Sequence, residues 1–122
     1  MNEVMEVLKK TSYTKTTISG LKYASVYRTF DSIKAGKYRL SCQGSQGHYC
    51  SPKQYLSVDK YKSLEVAVYN SKKKMINIAR SSVLRKFPQY KELLKYYDGH
   101  ILGWLPVELL NKLFIYLKNY KS

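Results

Sequence analysis

"GKYRLSCQG" (residues 36–44) decides how the chain is read. Between its two glycines apolar and polar residues alternate without a break, with Tyr38, Leu40 and Cys42 on one side and Lys37, Arg39, Ser41 and Gln43 on the other. A period of two with one apolar side is the pattern of a strand that covers a core with one face. "SLEVAVYN" (63–70) repeats it, setting Leu64, Val66 and Val68 opposite Glu65, Ala67 and Tyr69. "NSKKK" (70–74) has turn chemistry, and "MINIA" (75–79) is apolar enough to return as a third strand. An antiparallel hairpin over about 63–79 with a lysine-loaded tip is therefore expected.

Helical spacing takes over on either side of this sheet. In "LPVELLNKLFIYLKNY" (105–120) Pro106 opens a helix, Glu108 sits in its first turn, and Leu109, Leu110, Leu113, Phe114 and Leu117 form an apolar stripe. Lys112, Lys118 and Lys121 face out, the last two near the C-terminal end that favours cations. "FPQYKELLKYYDGH" (87–100) predicts another helix, with Pro88 in the first turn, Tyr90, Leu93, Leu94 and Tyr97 on one stripe, and "DG" as its stop. "ILGW" (101–104) reads as a short strand or packed connector. "NEVMEVLKK" (2–10) has Val4, Val7 and Leu8 at helical spacing, and the polar "TSYTKTT" (11–17) reads as a link, so residues 1–20 are expected to be a loosely attached helix and linker. In "ISGLKYASVYRTF" (18–30) the positions Leu21, Tyr23, Val26, Tyr27 and Phe30 fit a helix slightly better than a strand. The expected fold is a single α+β domain over residues 1–122: a small antiparallel β-sheet packed against two or three helices, including an amphipathic C-terminal helix.

A hydrophobic content of 44% against 25% charged residues suits a folded core and argues against disorder. No apolar run approaches the roughly 18 residues a membrane span needs. The first ten residues lack a basic leader and apolar block, so a cytoplasmic protein without a membrane partner is expected. The charge is less ordinary: 22 Lys and Arg against 8 Asp and Glu leave +14. Such an excess repels itself in the compact state, and a polyanionic partner relieves that strain. The densest block holds Lys72, Lys73, Lys74, Arg80, Arg85, Lys86, Lys91 and Lys95 against Glu92 alone, which makes these eight the candidate partner-binding residues. A solvated lysine-rich face is the plainer reading of the same block. Tyrosine is also in excess, at 13 residues, many beside a cation. Its ring suits interfaces and stacking on bases, although a lysine- and tyrosine-rich composition also follows from an AT-rich coding sequence.

"SCQGSQGHYCSP" (41–52) gathers both cysteines and one of the two histidines. Cys42, His48 and Cys50, with His100 as a fourth ligand, offer zinc a Cys2His2 set, but at a spacing unlike the familiar fingers. A Cys42–Cys50 disulfide asks for an oxidising compartment. The third reading needs no cofactor: Cys42 lies on the inner face of a strand, and Gly44 and Gly47 shape a turn. No phosphate-cradling loop, dinucleotide fingerprint, HExxH or GxSxG occurs, and no family-type signature surrounds either cysteine, so an enzyme is not expected. Nor is a helix-turn-helix or RNP-type strand evident.

"HYCSP" (48–52), "LEVAVYN" (64–70) and "GWLPVELLNKL" (103–113), in that order, resemble small single-domain accessory proteins of bacteriophages and mobile elements, over about residues 38–118. The resemblance implies a non-enzymatic inhibitor of host defence of the anti-CRISPR kind, acting in the bacterial cytoplasm on an RNA-guided nuclease complex. A basic inhibitor has the wrong sign to copy DNA. The expected mode is a grip on guide RNA, target DNA or an acidic protein surface. The alternatives are a stand-alone basic DNA- or RNA-binding protein and a small structural zinc-binding module.

Overall fold

Strand β4 (Tyr38–Gln43) pairs antiparallel with β5 (Ser63–Tyr69), and the register sets Leu40 against Val68 and Cys42 against Val66, as the two alternating segments require. The computed structural model describes residues 2–19 and 24–121. Strand β3 (Ile33–Ala35) flanks β4, and β6 (Leu102–Pro106) flanks β5, giving an antiparallel sheet of order β3-β4-β5-β6. Gly36 makes the β3–β4 turn at φ 64, and a Cβ there would stand 2.6 Å from the Leu117 carbonyl oxygen. Only glycine meets both demands, so this turn lies directly on the end of the C-terminal helix.

That helix, α4 (Val107–Asn119), leaves β6 without a linker and buries Leu109, Leu110, Leu113, Phe114 and Leu117, the stripe read from the sequence. Helix α1 (Glu3–Lys9) packs on α4. Its attachment is not loose. Val4, Met5 and Leu8 are buried in the main core. Asn2 caps α1 by accepting from Met5 N–H at 3.1 Å and donates to the Val107 carbonyl at 3.0 Å. Val4 N–H donates to Asn111 Oδ1 at 2.9 Å, and Lys118 Nζ lies 2.6 Å from Glu3 Oε1.

The expected linker is a strand. β1 (Tyr13–Ser19) pairs antiparallel with β2 (Ala24–Phe30) as a separate two-stranded ribbon, so the helix expected over 18–30 is corrected across the described part. Leu21 and Tyr23 lie outside the described residues. The β-branched run Thr14, Thr16, Thr17, Ile18, Val26 and Thr29 favours extended backbone, and the apolar spacing is ambiguous between the two periods. Two glutamines fasten the ribbon to the sheet. Gln43 accepts from Phe30 N–H at 2.7 Å and donates to the Phe30 carbonyl at 2.9 Å, standing in for a ladder partner, while the Gln46 side chain accepts from Val26 N–H.

Two further expectations shorten. "MINIA" is not a strand: Met75 makes one bridge to Tyr69 and Ile76 N–H reaches the Val68 carbonyl at 2.8 Å. The Asn77 side chain then accepts from Ala79 N–H and turns the chain into a 3-10 turn, ending the ladder. The helix expected over 88–97 is α3 (Tyr90–Leu94), preceded by one turn, α2 (Ser82–Arg85), capped by Ser81. It stops early because Tyr97 bridges to Leu102 and the Tyr96 carbonyl accepts from Gly103 N–H. Truncating Leu8 to Ala should cost about 2–5 kcal/mol in a chemical denaturation curve, the range for a buried leucine; a loss well under 1 kcal/mol would mean that α1 is not part of the core.

Candidate nucleic-acid interface

Six of the eight candidate cations fall on two separate places. Lys72, Lys73 and Lys74 crown the turn after β5, all exposed. Asn70 builds that turn, its Oδ1 accepting from Lys72 N–H at 2.9 Å and Lys74 N–H at 3.1 Å, with Lys73 at φ 63. Lys73 lines a depression of about 640 Å³ with Arg39 and Tyr69 on the polar face of the sheet. Arg85, Lys91 and Lys95 instead share an open groove of about 730 Å³ with Phe87, Pro88, Gln89, Tyr90, Tyr96 and one acid, Glu92. Lys91 and Lys95 stand one helical turn apart on and just after α3, which puts their ammonium groups on one side. Arg80 and Lys86 are exposed but line neither place.

Lys95 and Tyr96 also line a second concavity of about 600 Å³, which adds Tyr49, Tyr97, Asp98, Gly103 and Trp104. Trp104 is 50% exposed and Tyr49 43% exposed, with ring centroids 4.8 Å apart and planes at 31°. Lys53 Nζ lies 5.6 Å from the Tyr49 ring centre. Sequence reasoning misses Tyr49, Lys53 and Trp104 as site residues. A lone tryptophan between a glycine and "LP" in a strand-like segment is the one available signal.

The cysteine–histidine loop folds inward. Among the described residues no three His, Cys, Asp or Glu side chains gather into a set that could hold a metal ion, which sets aside zinc on Cys42, His48, Cys50 and His100. His100 sits exposed in the Asp98 turn, where Asp98 Oδ1 accepts from its N–H at 2.8 Å. Cys42 and Cys50 are both free and buried, so the disulfide reading is corrected too. Burial pushes the Cys42 thiol up to about 12, and burial raises Cys50 as well. Gly47 is needed for proximity, not for a turn conformation: a Cβ would stand 2.0 Å from the Tyr27 ring.

Within this loop Ser45 Oγ lies 2.7 Å from His48 Nδ1, and His48 Nε2 lies 3.9 Å from Glu65 Oε2. Hydroxyl, imidazole and carboxylate follow one another as in a hydrolase triad, but with the two ring nitrogens exchanged, since a triad hydroxyl meets Nε2 and its carboxylate Nδ1. Ser45, however, is fully buried, so a substrate carbonyl has no approach to its oxygen in this conformation. Burial, with Arg28 adding to it, lowers the His48 pKa, while burial raises that of Glu65. The array therefore works as an internal polar tie between the loop and β5. Comparison with protein-family models, characterised proteins and solved structures returned no match.

Two measurements check the loop. A thiol reagent at about pH 8 should leave the native protein unreacted and titrate both thiols after denaturation; fast reaction of the native protein would contradict the burial. His48, with its folded pKa below the ordinary 6.5, resists a proton that the unfolded chain accepts. Its contribution is complete above 6.5 and lost as pH falls below that value through the folded pKa, so the denaturation midpoint should drop as the solution is acidified below about pH 6.5 and His48→Gln should flatten the drop.

Proposed function

We propose that this protein is a non-enzymatic nucleic-acid-binding protein that holds phosphates along the Arg85–Lys91–Lys95 groove, and that it serves a phage or mobile element as an inhibitor of a host RNA-guided nuclease. The observation that carries the binding half is the convergence of three candidate cations on one groove that also holds the half-buried rings of Tyr90 and Tyr96. Each phosphate neutralised there releases condensed counterions, which makes such binding strong at low salt and steeply salt-dependent. The +14 charge adds attraction at long range. The lysine turn at 72–74 lies on a different part of the surface and supplies a secondary contact along an extended ligand.

The nuclease half rests on the resemblance of residues 38–118 to phage accessory proteins. Two of the segments that carry it are β5 and the β6–α4 junction, which build the core. A stand-alone DNA- or RNA-binding role is the second reading, favoured because the groove is complete within one chain. The two separate in a cleavage assay: an inhibitor stops an RNA-guided nuclease at concentrations where free nucleic acid is not saturated, and a stand-alone binder does not.

The binding half is tested by charge reversal. Replacing Arg85, Lys91 and Lys95 with Glu should lower affinity for RNA or DNA and reduce the log K against log salt slope by roughly 2 to 3, about 0.7–0.9 for each phosphate no longer neutralised. The same change at Lys72, Lys73 and Lys74 should cost less. Unchanged affinity and slope in the groove variant would reduce the block to a solvated face.

A further inference from the structure

Trp104 stands on a break in the sheet. Leu64 pairs with Leu105 and Val66 pairs with Leu102, so two steps along β5 match three along β6 and one extra residue is accommodated in β6. The backbone there takes Trp104 through φ 52, a left-handed conformation normally given to glycine. A bulge of this kind re-aims a side chain, and here it turns the indole out of the edge strand into solvent. The position is held from both sides: Trp104 N–H donates to the Tyr49 carbonyl at 2.9 Å, and Gly103 N–H to the Tyr96 carbonyl at 3.0 Å. A strand edge that needed only a bulge is served better by glycine. The fold instead keeps a large flat ring half in water, braced by Tyr49, in a concavity that Lys95 shares with the cation-lined groove.

We infer that the Trp104–Tyr49 pair is a stacking platform for an unpaired base, which makes the ligand a single-stranded nucleic acid whose phosphates run along Lys95, Lys91 and Arg85. The inference rests on the phosphate-binding reading of the groove and narrows it. A continuous duplex shows only base edges and has no free face to offer an indole, whereas every unpaired base has one. Lys95 and Tyr96 line both concavities, so a backbone held on Lys95 has its neighbouring base beside the indole. Asp98 and Glu92 are the only acids on the two walls, against Arg85, Lys91 and Lys95.

Trp104 is the only tryptophan of the chain, so its emission reports this site alone. Four polyanions are titrated at fixed low salt: oligo-dT, oligo-U, a duplex of equal charge, and inorganic polyphosphate, which has no bases. Both single strands should quench the emission. Duplex and polyphosphate should bind without quenching. Trp104→Gly suits the backbone angle and keeps the fold, checked by circular dichroism. It should lose about tenfold in single-strand affinity and leave polyphosphate affinity and the salt slope unchanged, while Trp104→Phe should recover most of the loss. Single strands that bind without quenching, and as tightly to Trp104→Gly, would overturn the platform and leave the phosphate grip standing. Equal losses for polyphosphate would overturn it too, showing the indole to be structural. If no polyanion binds at low salt, the groove reading and the platform fall together.

Discussion

The guanidinium of Arg28 holds the two sheets of this protein together. It is 4% exposed, and neither ion pair among the described residues involves it. Burying a charge costs several kcal/mol unless its field is answered. The answer comes from carbonyl, phenol and ring faces. Nη2 donates to the Gly44 carbonyl at 3.0 Å and to Tyr61 Oη at 3.1 Å, while Phe30, Tyr55, Tyr13 and Tyr61 surround the guanidinium carbon with ring centres 4.5–5.7 Å away. Each cation–π contact contributes on the order of 0.5–2 kcal/mol. Because the ligands come from the ribbon, from the end of β4 and from the 50s loop, the same cation sets the position of all three.

That constraint reaches the candidate interface. The loop that Arg28 anchors at Gly44 continues through the Ser45–His48–Glu65 tie to Tyr49, whose carbonyl receives Trp104 N–H. The platform is thus supported from two directions, by the anchored loop and by the β5–β6 ladder. Such support allows a bulky residue to persist at a backbone angle that costs free energy.

The tyrosine excess divides along the same lines. Tyr13, Tyr55 and Tyr61 serve the Arg28 cage; Tyr116 packs on Phe87 and Tyr120 beside α4. Tyr49, Tyr90, Tyr96 and Tyr97 line the two concavities. Tyr61, flanked by Lys60 and Lys62, looks like part of a binding signature in the sequence, yet it is buried and packs on Arg28 as an internal contact. Composition counts rings and charges without telling which have already been used within the fold.

Local pattern by itself determined the central strands, the C-terminal helix and its buried stripe, because alternation at period two and spacing near 3.6 are properties of adjacent residues. It also located the cation-rich block, of which Arg85, Lys91 and Lys95 line one groove. Only tertiary structure decided the rest. The ribbon is fastened to the sheet because Gln43 and Gln46 bond its edge from a distance in sequence. Cys42 and Cys50 are buried because other segments cover them. Trp104 is exposed because β6 carries one residue more than β5 can pair. In each case the deciding partner is a residue remote in the chain.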